Sequence, residues 1–125
     1  LRSLVGSEMC IRDSRYSVVR KADGRVIGVI SLMDAERAVP GWELGIEMAP
    51  DVRRQGYARE ALAAVIQAFF KKTDTVLFTG GHYAYNTISG ELLKKLGFTY
   101  EGIEHKAMRH AERGPTDLVC YYLEK

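Results

Sequence analysis

Two β-rich runs, "YSVVR" and "RVIGVISLM", open the regular part of the chain and are joined through "KADG". Asp23-Gly24 marks a hairpin there, because a tight type I′ turn needs positive φ. "DAERAVPG" interrupts the pattern with Pro40 and Gly41. In "WELGIEM" polarity alternates with period 2, placing Trp42, Leu44, Ile46 and Met48 on one face and Glu43, Gly45 and Glu47 on the other. "APDVRRQG" reads as a loop. The period then lengthens: Ala58, Ala61, Leu62, Val65, Ile66, Phe69 and Phe70 recur at helical spacing, closed by Lys71 and Lys72, whose charges suit a helix C-terminus. "TVLFTG" reads as a buried strand. "NTISGELLKKLGF" predicts a second helix with Ile88, Leu92, Leu93 and Leu96 on one face, Lys94 and Lys95 in its last turn, and Gly97 as the residue just past its end. "FTYEGIEHKAMR" and "TDLVCYYLEK" predict a closing strand pair around "HAERGPT". The β–α–β–α–β order in the middle predicts an α+β (α/β) sheet with helices packed on it.

The first fourteen residues, "LRSLVGSEMCIRDS", show neither period. They resemble the translated read-through of a sequencing-library adapter, and they lack the continuous apolar centre of about 7 or more residues that a signal peptide needs. Residues 1–14 are therefore expected to be an artefact or a disordered leader, and residues 15–125 the folded domain. A length of 125 residues, 46% hydrophobic and 27% charged, fits one domain with one core. A net charge of +2, with no basic run interleaved with aromatics, gives no reason to expect nucleic acid. No apolar stretch approaches the roughly 20 residues of a membrane span. Cys10 and Cys120 form neither a metal-ligand pattern nor a disulfide framework, so the expectation is no metal and a reducing cytoplasm.

Charge changes the picture at "VRRQGYARE", residues 52–60. Arginines at a helix start have the wrong sign for the helix dipole. The first amides of a helix also lack intrahelical partners, and no Ser, Thr, Asp or Asn precedes Tyr57 to cap them. Gly56 carries no side chain to block approach. A bound anion, most simply phosphate, would satisfy the amides and reverse the arginine penalty from Arg53, Arg54 and Arg59. The alternative is a solvated basic loop, at a cost of roughly a few tenths of a kcal/mol. The loop is not a nucleotide P-loop, since no Gly-Lys-Ser/Thr follows, and it is not G-x-G-x-x-G.

"RRQGYA" reads as Arg/Gln-x-x-Gly-x-Gly/Ala, which resembles the pyrophosphate loop of the GNAT superfamily of N-acetyltransferases. The resemblance covers residues 16–125 and includes the order of elements. "ELGIEMAPDVRRQGYAREAL", N-x-x-S at Asn86 to Ser89 and LGF-x-x-EG at Leu96 to Gly102 are most similar to the branch that acetylates ribosomal-protein N-termini. The resemblance implies a mixed, mostly antiparallel central sheet with helices on both faces. It also implies acetyl-CoA as co-substrate, its pantetheine arm lying between "WELGIEM" and "TVLFTG" and pairing with backbone at Ile46, Glu47 and Met48. Arg53, Arg54, Gln55, Gly56, Tyr57 and Ala58 would hold the pyrophosphate, with small Ala58 permitting close helix approach and Arg59 reaching a phosphate oxygen.

Acetyl transfer to an amine needs a base for the ammonium proton, support for the thioester oxygen and an acid for the departing thiolate. By the resemblance Glu43 is the candidate base, acting through a water, and Glu47 is its rival. Read without it, both are the polar side of a half-exposed strand. Asn86 is an ordinary N-cap that the resemblance also places on the pantetheine arm, and Ser89 is the candidate acid. Many superfamily members carry a tyrosine acid further along this helix, in the pattern N-x-x-A-x-x-L-Y; Leu93 stands there in this chain. His82 is a loop histidine that could meet substrate but is more ordinary as structure. Tyr83, Tyr85, Tyr121 and Tyr122 read as packing or pocket wall, and Trp42 as core.

A complete member begins with a further strand and two helices that wall the acceptor site. None is evident before Tyr16, so the sheet is expected to lack an edge strand and the fragment to be a truncated domain. Three readings follow: an acetyl-CoA-dependent N-acetyltransferase, a non-catalytic CoA-binding or interaction domain (or an inactive fragment) of the same fold, or an unrelated module whose basic loop binds another phosphate. The expected partners are acetyl-CoA and an amine acceptor, a protein N-terminus or a small molecule, with homodimerisation left open and no nucleic acid or membrane.

Overall fold

The computed structural model describes residues 3–10 and 13–125. In chain order its strands are β1 (Ser3–Cys10), β2 (Asp13–Val19), β3 (Val26–Asp34), β4 (Gly41–Met48), β5 (Leu77–Tyr83), β6 (Thr99–His110) and β7 (Gly114–Glu124). Helix α1 (Tyr57–Lys72) lies between β4 and β5, and α2 (Thr87–Lys95) between β5 and β6. The seven strands form one sheet in the order β1-β2-β3-β4-β5-β7-β6. Every neighbouring pair is antiparallel except β4 and β5, which are parallel, so the expected mixed, mostly antiparallel sheet is the one observed.

Connection handedness places the helices. Both β4-α1-β5 and β5-α2-β6 join parallel strands and advance the same way across the sheet, so right-handed crossovers put both helices on one face. Phe78 on β5 meets Phe69 and Phe70 of α1, with ring centroids 6.2 and 5.0 Å away. A Cβ on Gly80, two residues along the same face, would stand 2.9 Å from Leu93 of α2. The expectation of helices on both faces is therefore corrected for the two described helices. Between them and the sheet lies the core, with Val18, Ile30, Leu32 and Phe78 all fully buried. Burial of each such side chain contributes roughly 1.5–3 kcal/mol. Trp42 is half-buried at the edge of this core, its indole N–H donating to Thr75 Oγ1 at 3.2 Å.

Three local expectations change. Residues 3–10, expected outside the fold, form edge strand β1 in a ladder running from Ser3↔Val19 to Cys10↔Asp13. An edge strand is held by backbone bonds along one side, which leave little periodic trace in sequence. The β2–β3 turn is a four-residue loop rather than a type I′ turn: Gly24 N–H donates to Arg20 O, and Gly24 has φ +70° while Asp23 has no positive φ. Ile88 is 60% exposed, because α2 lies on β5 through Gly90 and Leu93 instead. A Cβ on Gly90 would sit 2.8 Å from His82 Nε2, so this close approach requires glycine.

Candidate functional site

The parallel seam is short. β4 and β5 pair from Gly41↔Leu77 to Leu44↔Gly80 and no further, while β4 continues to Met48 along β3 and β5 continues to Tyr83 along β7. Residues 45–48 and 81–83 therefore present two diverging strand edges to one another, with no ladder pair between them. An extended chain bearing amide groups can add to such an edge by main-chain hydrogen bonds. Ile46 and Met48 project toward the helices and are half-buried, while Glu47 points to the other face and is exposed.

At the open end of this wedge stands the start of α1. A 3-10 turn over Pro50–Val52 anchors the preceding loop through Val52, which is 2% exposed. Arg54 has φ +64° and Gly56 φ +83°, both left-handed. Gly56 occupies the N-cap position with no side-chain cap hydrogen bond, and its carbonyl accepts from Glu60 N–H at 3.1 Å. The amides of Tyr57, Ala58 and Arg59 precede the first intrahelical bond. Arg53, Arg54, Gln55, Gly56 and Arg59 are exposed, while Tyr57 and Ala58 are half-buried. The loop thus combines open amides, a face without side chain at Gly56, and three cations.

Glu43 lies near the wedge apex on the face opposite the helices, in register with Met33 on β3 and Thr79 on β5. Desolvation first, then the charges of Glu104 and Glu36, raise its carboxyl above the ordinary value. Glu104 Oε1 accepts from Cys120 Sγ at 3.6 Å, and burial followed by the Glu104 charge pushes that thiol up to about 11. Arg37 is engaged by Glu101, at 2.9 and 3.4 Å. Sequence reading missed Glu104 and Glu36 as neighbours of Glu43, because β6 and the β3–β4 loop reach it only through the fold.

At the end of β5, Asn86 caps α2, its side chain accepting from Ser89 N–H at 3.3 Å, and Ser89 is half-buried. His82 is buried, with Nδ1 2.6 Å from Tyr83 O and Nε2 3.3 Å from Tyr121 Oη. A carbonyl can only accept, so Nδ1 carries the proton, and in the neutral ring Nε2 accepts from the tyrosine hydroxyl. His82 is occupied as structure. Tyr83 and Tyr85 stack at 5.4 Å with Arg113 3.9 Å over the Tyr85 ring, in keeping with packing roles. Leu93, where the tyrosine acid would stand, is buried against Gly80. Among the described residues, no group of three or more His, Cys, Asp or Glu is arranged to hold a metal ion. No described helix is long and apolar enough to cross a membrane.

Several known proteins are similar to this chain in sequence or in structure. The uncharacterized N-acetyltransferase YoaA of Bacillus subtilis (strain 168) is 26% identical over 114 residues, which is 91% of this chain and 64% of that protein. The ribosomal-protein-S5-alanine acetyltransferase from Vibrio fischeri has a TM-score of 0.82 at 21% identity, covering 90% of this chain and 61% of that one. A dodecameric spermidine N-acetyltransferase from Vibrio cholerae has a TM-score of 0.81 at 19% identity, covering 91% of this chain and 66% of that one. The matched part of this chain thus spans under two thirds of the length of the first two relatives. Structural likeness at such identities establishes the fold, and it is equal for enzymes of two different acceptors. The family description of an acetyltransferase (GNAT) domain fits residues 6–99, and with it the chain belongs to the GNAT acetyltransferase family.

Proposed function

We propose that the protein moves an acetyl group from acetyl-CoA to a primary amine, either a protein N-terminal α-amine or a small-molecule amine. The observation that carries this reading is the wedge between β4 and β5, with Glu43 near its apex and the uncapped start of α1 at its mouth. In this reading the pantetheine amides pair with backbone at Ile46, Glu47 and Met48. The pyrophosphate rests on the amides and cations of residues 53–59, and the free donors of Asn86 face the arm. Glu43, acting through a water, accepts the proton of the attacking amine. The amine nitrogen attacks the thioester carbonyl carbon, the C–S bond breaks, and the thiolate takes a proton from Ser89 or solvent. The raised carboxyl of Glu43 suits a base working nearer neutrality, and the acids Glu36, Glu43 and Glu104 favour a cationic amine over an acidic acceptor.

A second reading, CoA binding without turnover, draws on Leu93, which leaves no tyrosine acid on α2. Calorimetry with CoA and thiol release from acetyl-CoA across a panel of peptides and polyamines test both. Binding with amine-dependent thiol release supports transfer, binding alone supports the second reading, and the absence of binding removes both.

A further inference from the structure

The loop at the start of α1 is tied at its upstream end to one hairpin turn. On its upstream side Asp51 accepts a bidentate pair from Arg25, at 2.6 Å from Nη1 and 2.8 Å from Nη2. Arg20 and Arg25 bracket the β2–β3 turn, whose ends close on one another through Arg20 N–H to Arg25 O at 2.8 Å. Asp23 fixes the pair from inside the turn, accepting from Arg20 Nη2 at 2.6 Å and from Arg25 N–H at 3.2 Å. Just past this tether lie residues 52–56, including the left-handed Arg54 and Gly56. A non-glycine residue in that conformation persists only where its surroundings over-determine it, and the tether on Asp51 supplies a constraint from upstream.

We propose that the β2–β3 turn, through Arg25 on Asp51, is a positioning device that presets the loop over residues 52–56 for a pyrophosphate. The proposal rests on the cofactor reading above. Charge alone makes the opposite prediction for one residue. Asp51 is a carboxylate close to a loop that would take a dianion, so by Coulomb sign its neutralisation should tighten binding. As the anchor of the loop, its neutralisation should weaken binding. The two accounts differ in sign.

The test is calorimetric titration of the whole chain with CoA, for wild type, Asp51→Asn, Asp51→Arg, and Asp51→Arg combined with Arg25→Asp. Asp51→Asn should weaken CoA binding roughly two- to fivefold, the range of a single exposed ion pair. The reversed pair should bind more tightly than Asp51→Arg alone, since it restores the tether in opposite polarity. Circular dichroism at the titration temperature keeps folding separate from affinity. Unchanged or tighter binding by Asp51→Asn overturns the proposal, as does a reversed pair no better than the single change. Failure of wild type to bind CoA would instead remove the cofactor reading itself, so the two failures are distinguishable.

Discussion

Gly56→Val separates backbone strain from blocked access at the start of α1. Gly56 sits at φ +83°, ψ 0°, and no atom beyond its two chain neighbours lies within 4 Å of the place a Cβ would take. An added side chain therefore meets solvent, and its cost to the fold is conformational alone. A left-handed L residue costs about 1–2 kcal/mol, and a β-branched one falls at the upper end. In a domain of this size each kcal/mol lowers the melting temperature by roughly 4 °C, so Gly56→Val should melt roughly 4–8 °C below wild type and stay folded at 25 °C. The same side chain adds bulk at the start of α1, where a phosphate would approach the first unpaired amides. Loss of even one charge-assisted hydrogen bond to a phosphate should weaken CoA by about tenfold or more. Gly56→Asn is the control: asparagine tolerates the left-handed region, so the melting drop should shrink while CoA affinity still falls. Calorimetry and thermal circular dichroism read the two effects independently. If Gly56→Val melts as calculated and binds CoA like wild type, the loop is not where the pyrophosphate rests.

Glu43→Gln keeps size and hydrogen-bonding reach but cannot take a proton, so kcat should fall by roughly 10²–10⁴-fold with CoA affinity nearly unchanged, and activity should partly recover at high pH, where free amine is abundant. Glu47→Gln should do much less; the reverse ranking moves the base along the strand. Folding raises the Glu43 carboxyl, so its contribution to stability is present while it is protonated and is lost as pH rises through the raised value. Glu43→Gln should accordingly melt at or slightly above wild type at neutral pH. Glu104→Gln removes a like charge, lets Glu43 ionise at lower pH, and should shift the acid limb of kcat/KM downward; an unshifted limb would assign it to another group. Deleting residues 1–10 strips the ladder from β2 and should lower the melting temperature by several degrees, whereas a change within about one or two degrees would place that segment outside the cooperative fold.

Elements governed by one local period were legible in the chain. The alternation of "WELGIEM", the stripe from Ala61 to Phe70 and the glycine after Leu96 all stand where expected, and Gly56 opens α1 as its spacing implied. Legibility ended where geometry is non-local. The stripe assigned to α2 included Ile88, yet the helix is set by what β5 offers beneath it, and Gly80 and His82 meet Leu93 and Gly90. That both helices share a face follows from crossover handedness, which no single segment carries. Glu43 stood out by its position on a strand, but its electrostatics come from residues on a loop and on a distant strand. The tethering turn was recognised only as a hairpin, because Arg25 and Asp51 meet through tertiary folding.

The short parallel seam divides the sheet into two blocks, β1–β4 and β5–β7, joined by four ladder pairs and by the side chains packed beneath α1. Cooperativity between the blocks therefore rests on apolar packing more than on continuous backbone pairing. Amides near the diverging edges can exchange with solvent through small local openings that leave either block intact. A molecule lying along both edges would couple blocks that are otherwise linked on one side only. Its binding would be felt as slowed exchange on β4 and β5 together, well beyond the residues it touches.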